Sequence, residues 1–210
     1  MNALSTDLTH KILNDPSLQS KQDVQNISAV CTAFKENKDV PKWRMPTNVP
    51  RSIFMSAENR SCSVLHLSGC NLDGIIVPAS LPVSLKKLEL YQAKNIPPEL
   101  IDLALSSSTI ETLVLSSCNL SGIIAPESLP DSLKELHLGY TNNIPSELIN
   151  LALSSSTIEK LDLSFCYLAE ISVPESLPAS LTELDLTGSK NIPADLITKA
   201  KALPHCNVKT

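Results

Sequence analysis

Three of the six cysteines recur at one fixed interval along the chain. Cys70, Cys118 and Cys166 each lie in a phrase of the form Leu-Ser-x-Cys-x-Leu, and each phrase begins 48 residues after the one before it. Regularly spaced thiols could form disulfides, bind a metal or act as nucleophiles, and each of these roles requires particular neighbouring residues.

Motifs that would support those roles are missing from the sequence. It contains no Cys-x-x-Cys, His-Glu-x-x-His, P-loop or Gly-x-Ser-x-Gly motif, and its five glycines are too few to build a phosphate-binding loop. We therefore expect no catalytic residue, no metal site and no cofactor. The protein is expected not to be an enzyme.

The composition also argues against two classes of protein, nucleic-acid binders and membrane-spanning proteins. The net charge of −5 argues against a nucleic-acid binder, because phosphate groups need a basic surface. No run of 18 apolar residues occurs, so no membrane span is expected. The N-terminal residues lack the apolar core of a signal peptide, which predicts an intracellular protein with reduced thiols.

Pairs of leucines separated by one residue recur at alternating spacings of 23 and 25 residues. The pairs are Leu65/Leu67, Leu88/Leu90, Leu113/Leu115, Leu136/Leu138, Leu161/Leu163 and Leu184/Leu186. The longer spacings contain text such as "NIPPELIDLALSS", where an early proline and an apolar stripe at Leu100, Ile101, Leu103 and Ala104 predict a helix. The shorter spacings contain text such as "PESLP", which is too short and too rich in proline for a full helix.

This period and its Leu-x-x-Leu-x-Leu text resemble the leucine-rich-repeat family over residues 47–210. The resemblance implies an α/β solenoid with parallel strands on a concave face. Helices and short 3₁₀ or extended crossings would then form the convex face. Residues 47–57 predict a degenerate first helix, and Val208 predicts a closing strand.

The three recurring cysteines occupy the position that leucine-rich repeats give to Asn or Cys. The other repeats place Ala93, Thr141 and Ser189 there, so all of the occupants are small. A buried thiol at such a position acts as a small apolar filler with a weak hydrogen-bond donor. We therefore predict that Cys70, Cys118 and Cys166 form a structural ladder inside the solenoid.

Residues 1–40 lack the repeat and predict a small all-α module, joined to the solenoid through residues 41–46. Its order of Asp7-Leu8, Ile12-Leu13, Asp23-Val24, Val30-Cys31 and Phe34 resembles the F-box, although Ser5 replaces the usual proline and Phe34 the frequent tryptophan. The resemblance implies that this module binds the Skp adaptor of a cullin-based (SCF) ubiquitin ligase. The candidate residues for that contact and the module's core are Leu4, Leu8, Ile12, Leu13, Val24, Ile27 and Val30. The alternative is that these helices only cap the first layer of the solenoid.

Side chains that flank each inward leucine are predicted to form the binding face, because side chains alternate along a strand. The candidate contact residues are His66, Lys87, Glu89, Tyr91, Glu135, His137, Tyr140, Lys160, Asp162, Glu183 and Asp185. The C-terminal half of this face is acidic and favours a target protein with a basic patch. Tyr91 and Tyr140 are candidate anchors at one rim, whereas the neighbouring Phe165 could instead turn into the core.

The text "SLPxSLxxLxL" is also similar to the leucine-rich-repeat effectors of intracellular bacterial pathogens of the Legionella kind. In some of these effectors the repeats precede a catalytic ubiquitin-ligase domain. This chain ends after the repeats, so it would have to recruit that activity from another protein. The sequence thus predicts a non-catalytic substrate receptor, and the resemblance implies secretion into the host cell cytoplasm. A plain protein-binding scaffold with an N-terminal cap is the alternative.

Overall fold

The structure is a computed structural model that describes residues 63–210. The described chain forms one parallel sheet of seven strands, in which each strand pairs with the next along the sequence. The strands are β1 (Val64–His66), β2 (Lys87–Glu89), β3 (Thr112–Val114), β4 (Glu135–His137), β5 (Lys160–Asp162), β6 (Glu183–Asp185) and β7 (Asn207–Lys209). The helices within the same range are α1 (Pro98–Leu105), α2 (Ser146–Ser154) and α3 (Ala194–Ala202). The predicted F-box-like module, the junction at 41–46 and the first helix at 47–57 lie outside the described residues.

The predicted leucines set the register of the sheet. Leu65 pairs with Leu88, and each further strand places its central leucine, or Val208 in β7, beside the one before it. The second leucine of each pair follows its strand and is buried as well. Its backbone N–H continues the sheet, as when Leu67 donates to the carbonyl oxygen of Glu89 over 2.7 Å. The predicted parallel α/β architecture is therefore confirmed for the described residues.

Each helix follows an even-numbered strand, as the longer spacing predicts. Pro97 has extended backbone angles just before α1, and proline is tolerated there because the first N–H groups of a helix have no partner within it. The buried stripe of α1 differs from the predicted one at a single position. Leu105 is buried with Leu100, Ile101 and Ala104, whereas Leu103 is only half-buried.

The shorter crossings are built from turns and bends, and none of those described contains a 3₁₀ helix. In each crossing a proline carbonyl accepts a hydrogen bond from the N–H three residues later, at Pro82, Pro130 and Pro178. This turn places Leu85, Leu133 and Leu181 in the core. The compact turn takes the place of a helix and accounts for the shorter spacing.

The core is one continuous layer of leucines between the sheet and its crossings. Repeated layers of this kind bury side chains of similar size against each other, so stability is shared among neighbouring repeats. The layer becomes thinner at the last described strand, where Val208 is only half-buried between two exposed residues. The side of the sheet opposite the leucines carries the predicted binding residues, and we call it the strand face.

Candidate functional site

The three repeated cysteines lie in the core and form no disulfide. Burial raises the pKa of each thiol to about 11, well above the ordinary value of 9.0. A thiol with such a pKa carries very little thiolate at neutral pH, and thiolate is the reactive form. The geometry therefore favours a packing role for Cys70, Cys118 and Cys166.

These positions also form a regular series of side-chain hydrogen bonds, which we call the thiol–hydroxyl ladder. In each bond a thiol or hydroxyl donates to the backbone carbonyl of the second leucine in the preceding pair. The bonds run from Cys118 to Leu90 (2.9 Å), from Thr141 to Leu115 (2.8 Å), from Cys166 to Leu138 (3.3 Å) and from Ser189 to Leu163 (2.5 Å). The side chain of Ala93 has no hydrogen-bond donor, so the equivalent bond to the carbonyl oxygen of Leu67 is missing.

The first charged cluster on the strand face joins β1 and β2. Glu89 forms ion pairs with His66 and with Lys87, the latter at 2.7 Å. Burial opposes the charge on Glu89, but the hydrogen bonds from His66 and Lys87 outweigh that effect and lower its pKa to about 2. The cluster is therefore an internally neutralised part of the surface.

A second cluster joins β4 and β5. Lys160 lies 2.7 Å from Glu135, and its hydrogen bond is the main reason that the pKa of Glu135 is lowered. The ring of His137 lies between two carboxylates, with Nε2 3.7 Å from Glu135 and Nδ1 4.0 Å from Asp162. Asp162 accepts the backbone N–H of Ser164 over 2.9 Å and has no lysine or arginine within ion-pair distance among the described residues.

A third cluster shows that the predicted acidity of the C-terminal half was overstated. Lys209 of β7 pairs with Glu183 and lies 3.6 Å from Asp185. Lys209 is not among the predicted contact residues, although it directly follows the predicted closing residue Val208. Alternation along β7 could have identified it, because neighbours of an inward residue point to the strand face.

The turn directly after each of the strands β1 to β6 contains one residue with left-handed backbone geometry. It lies two positions after the second leucine, and the six residues with their φ angles are Gly69 (72°), Gln92 (56°), Ser117 (60°), Tyr140 (57°), Phe165 (55°) and Gly188 (67°). Glycine adopts this geometry without steric cost, whereas a bulky side chain is strained by it. Tyr140 and Phe165 are therefore the unusual members of the row.

The rings of Tyr140 and Phe165 stack on each other and form what we call the aromatic pair. Their centroids lie 4.0 Å apart with an interplanar angle of 15°. The side chains remain 55% and 48% exposed, so the alternative that Phe165 turns into the core is wrong. Phe165 also covers Gly188, where an added Cβ would lie 2.6 Å from the ring.

Tyr167 is a second departure from the repeat at the same end of the sheet. The equivalent residues Asn71 and Asn119 each accept a side-chain hydrogen bond of 2.8 Å, from Asn95 and Asn143. Tyr167 has no amide oxygen at that place, and it is 65% exposed. The structural bond is thus replaced by an exposed ring two residues after Phe165.

The remaining predicted contact residues lie where the alternation places them. His66, Lys87, Glu89, Glu135, His137, Lys160, Asp162, Glu183 and Asp185 all lie on the strand face, and Tyr91 follows β2. Tyr91 is exposed and accepts a hydrogen bond from the Gln92 side chain, two strands away from the aromatic pair. Sequence reasoning did not place Phe165, Tyr167 or Lys209 among the site residues.

The described residues hold no group of three or more His, Cys, Asp or Glu side chains that could bind a metal. In the same part of the chain, no helix is long and apolar enough to cross a membrane. The candidate site consists of the strand face and the aromatic rim, which we define as Tyr140, Phe165 and Tyr167.

Comparison with known proteins gives one family match. Residues 109–129 match the family model described as Leucine Rich Repeat, and this segment contains β3 and Cys118. No curated protein matches the chain. Together with the parallel seven-stranded sheet, the match supports a leucine-rich-repeat protein, and such repeats suggest the binding of a protein partner.

Proposed function

We propose that this protein is a non-catalytic receptor that binds a target protein with its strand face and aromatic rim. The observation that carries the proposal is the convergence of departures from the repeat at the ends of β4 and β5. The row of left-handed residues begins and ends with glycine but holds Tyr140 and Phe165 there, and Tyr167 replaces a structural asparagine nearby. Local rules of a fold are broken most often where function requires it.

The energetics of the aromatic pair support this interpretation. A bulky residue in the left-handed region costs about 1–3 kcal/mol, and stacking of two rings returns about 0.5–1.5 kcal/mol. The pair therefore contributes little net stability. Exposed aromatic residues, on the other hand, commonly supply much of the binding energy at protein interfaces.

The repeats themselves provide matched replacements for a binding test. Tyr140→Ser introduces the residue found at Ser117, and Phe165→Gly introduces the residue found at Gly69 and Gly188. Wild-type protein and the double variant should be compared in affinity purification from eukaryotic cells, followed by titration with the purified candidate target. The proposal expects a target whose affinity falls at least about tenfold in the variant, because rim aromatics act as anchors.

A target that binds the double variant as tightly as the wild type would contradict the proposed rim. The variant must also keep its unfolding midpoint, so that lost binding is not a result of lost folding.

The finer proposal concerns residues 1–40 and rests on their resemblance to the F-box. This segment would recruit the Skp adaptor of an SCF ubiquitin ligase, while the repeats hold the substrate. Binding of the purified adaptor to the intact chain, and loss of binding in Leu8→Asp with Ile12→Asp, is the expected result. No binding by the intact chain, or undiminished binding by the variant, would remove the ubiquitin-ligase role.

The plain scaffold remains the second candidate, with residues 1–40 as a cap on the repeats. Deletion of residues 1–40 separates the two proposals. Loss of a cap exposes core side chains and causes aggregation, whereas loss of a docking module leaves a soluble, folded repeat domain.

The proposed place of action is the cytoplasm of a host cell, after secretion by a bacterium. This part of the proposal rests on the similarity of the "SLPxSLxxLxL" text to bacterial effector repeats. A reporter fused to the chain and expressed in a bacterium with a functional effector secretion system should be translocated into host cells. Retention of the fusion in the bacterium would contradict it.

A further inference from the structure

We infer that the ends of β4 and β5 bind an arginine side chain of the target protein, with the guanidinium paired to Asp162 and stacked against the aromatic pair. This inference rests on the proposed function and deepens it, because it assigns a chemistry to the target. It is carried by the arrangement of four neighbouring residues: Gly139, Tyr140, Asp162 and Phe165.

Asp162 differs from the other predicted carboxylates of the strand face because no lysine pairs with it among the described residues. The other predicted carboxylates of the strand face have lysine partners: Lys87 pairs with Glu89, Lys160 pairs with Glu135, and Lys209 is shared by Glu183 and Asp185. Asp162 is fixed by the N–H of Ser164, and within residues 63–210 the only basic side chain in ion-pair range is His137 at 4.0 Å. It is therefore the carboxylate on this face that is best able to accept an incoming cation.

The carboxylate of Asp162 lies beside the end of the adjacent strand, β4. It lies over the backbone of Gly139, where an added Cβ would be 2.8 Å from Oδ2 and 3.0 Å from Oδ1. Gly139 thus leaves space for Asp162 and for the hydroxyl of Ser164, which would lie 2.5 Å from the same Cβ. Tyr140 directly follows Gly139 in the turn after β4, and Phe165 directly follows Ser164, whose N–H donates to the carboxylate, in the turn after β5. The carboxylate and the two rings therefore come from segments only a few residues apart at the ends of two adjacent strands.

The two faces of the Tyr140 ring have different neighbours. One face of Tyr140 is covered by Phe165, so its other face is directed toward the β3 side. The equivalent residue on that side is Ser117, whose side chain is much smaller than a ring. In the proposed complex, the guanidinium stacks on this face of Tyr140 and pairs with the carboxylate of Asp162.

Arginine matches this combination better than lysine does. The guanidinium group is planar and weakly hydrated, it stacks on aromatic rings, and it pairs with a carboxylate through two parallel hydrogen bonds. An ammonium group offers charge without a flat face. A neutral isostere offers a flat face without charge, so the two features can be tested separately.

The test uses three short peptides and the full-length protein. Acetyl-Gly-Gly-Arg-Gly-Gly-amide should shift the NMR signals of Gly139, Tyr140, Ser164 and Phe165 at millimolar concentration. The same peptide with citrulline should bind at least about tenfold more weakly, and the lysine peptide severalfold more weakly. Asp162→Asn and Tyr140→Ser should each weaken the binding of the arginine peptide by about tenfold. Glu127→Gln, on an exposed crossing away from the site, should leave that affinity unchanged.

Two results would overturn the inference. One is equal binding of the arginine and citrulline peptides, and the other is unchanged binding by Asp162→Asn. Backbone signals of β1 to β3 must stay unshifted in the variants, which shows that the fold is retained. If the double variant Tyr140→Ser, Phe165→Gly loses the target but the arginine peptide does not bind, the inference fails and the proposed function stands. If the target binds the double variant as tightly as the wild type, the proposed function itself fails.

Discussion

The hydroxyl of Thr141 donates a 2.8 Å hydrogen bond to the backbone carbonyl oxygen of Leu115, in the repeat before it. The same carbonyl also accepts the N–H of Cys118. This double acceptance recurs at Leu90, Leu138 and Leu163, so the turns of consecutive repeats are tied together by side chains in the core.

The missing bond at Ala93 gives a prediction on stability. Ala93→Thr should stabilise the fold by about 1 kcal/mol relative to Ala93→Val, because only threonine can donate to the carbonyl of Leu67. Thr141→Val should lower the free energy of unfolding by a similar amount. Urea unfolding of the variants measures both effects, and equal stability of the Thr and Val variants at position 93 would contradict the ladder as a source of stability.

Removal of the Phe165 ring should change stability only slightly. Phe165→Gly loses the stacking with Tyr140 but relieves the left-handed backbone, so we expect the free energy of unfolding to change by less than about 1 kcal/mol. Loss of a phenylalanine from a packed core would cost about 3–5 kcal/mol. Leu113→Ala is the matched core control, and a similar cost for both variants would show that the ring is structural.

The charge cluster at Glu89 predicts a dependence on pH. The pKa of Glu89 falls from 4.5 to about 2 in the folded protein, so the charged carboxylate stabilises the fold above its ordinary pKa. That stabilisation is lost progressively as the pH falls from about 5 toward 2. NMR titration of the side-chain carboxyl should give the low pKa in the wild type.

Two variants check the origin of this low pKa. Lys87→Met and His66→Leu each remove one hydrogen-bond donor and should raise the pKa of Glu89 toward its ordinary value. Unchanged titration in both variants would mean that the ion pairs do not control the carboxyl group.

Thiol reactivity should follow burial. We expect iodoacetamide to modify Cys206 before it modifies Cys70, Cys118 and Cys166, because Cys206 is only half-buried. Burial raises the pKa of all four thiols, and it raises the pKa of the three fully buried ones to about 11. Mass spectrometry of peptides after timed alkylation gives the order. Labelling of Cys118 as fast as in urea-unfolded protein would contradict a closed core at the ladder.

The backbone of the repeats could be predicted from the sequence because the leucines must face one way. The spacing of the pairs determines which residue lies beside which, and every predicted central leucine has the register that the spacing implies. The proline-containing segments likewise predicted the helices. The 3₁₀ alternative for the shorter crossings was not needed, because a single turn at each proline completes them.

The candidate site was less predictable, because its geometry depends on one backbone angle. An apolar ring just after a strand can turn inward or outward, and the left-handed φ of Phe165 turns it outward. Gly69 and Gly188 at the equivalent positions were the available signal. Tyr167 could have been found in the same way, by comparison with Asn71 and Asn119. Lys209 was missed because alternation was not continued into β7.

The row of left-handed residues separates what the turn requires from what the turn displays. Backbone hydrogen bonds between successive turns form whether the occupant is Gly, Gln, Ser, Tyr or Phe. Binding specificity could therefore be changed at this row one side chain at a time, without repacking the leucines. The row of left-handed residues is thus the natural place to vary when libraries of new binders are built on these repeats.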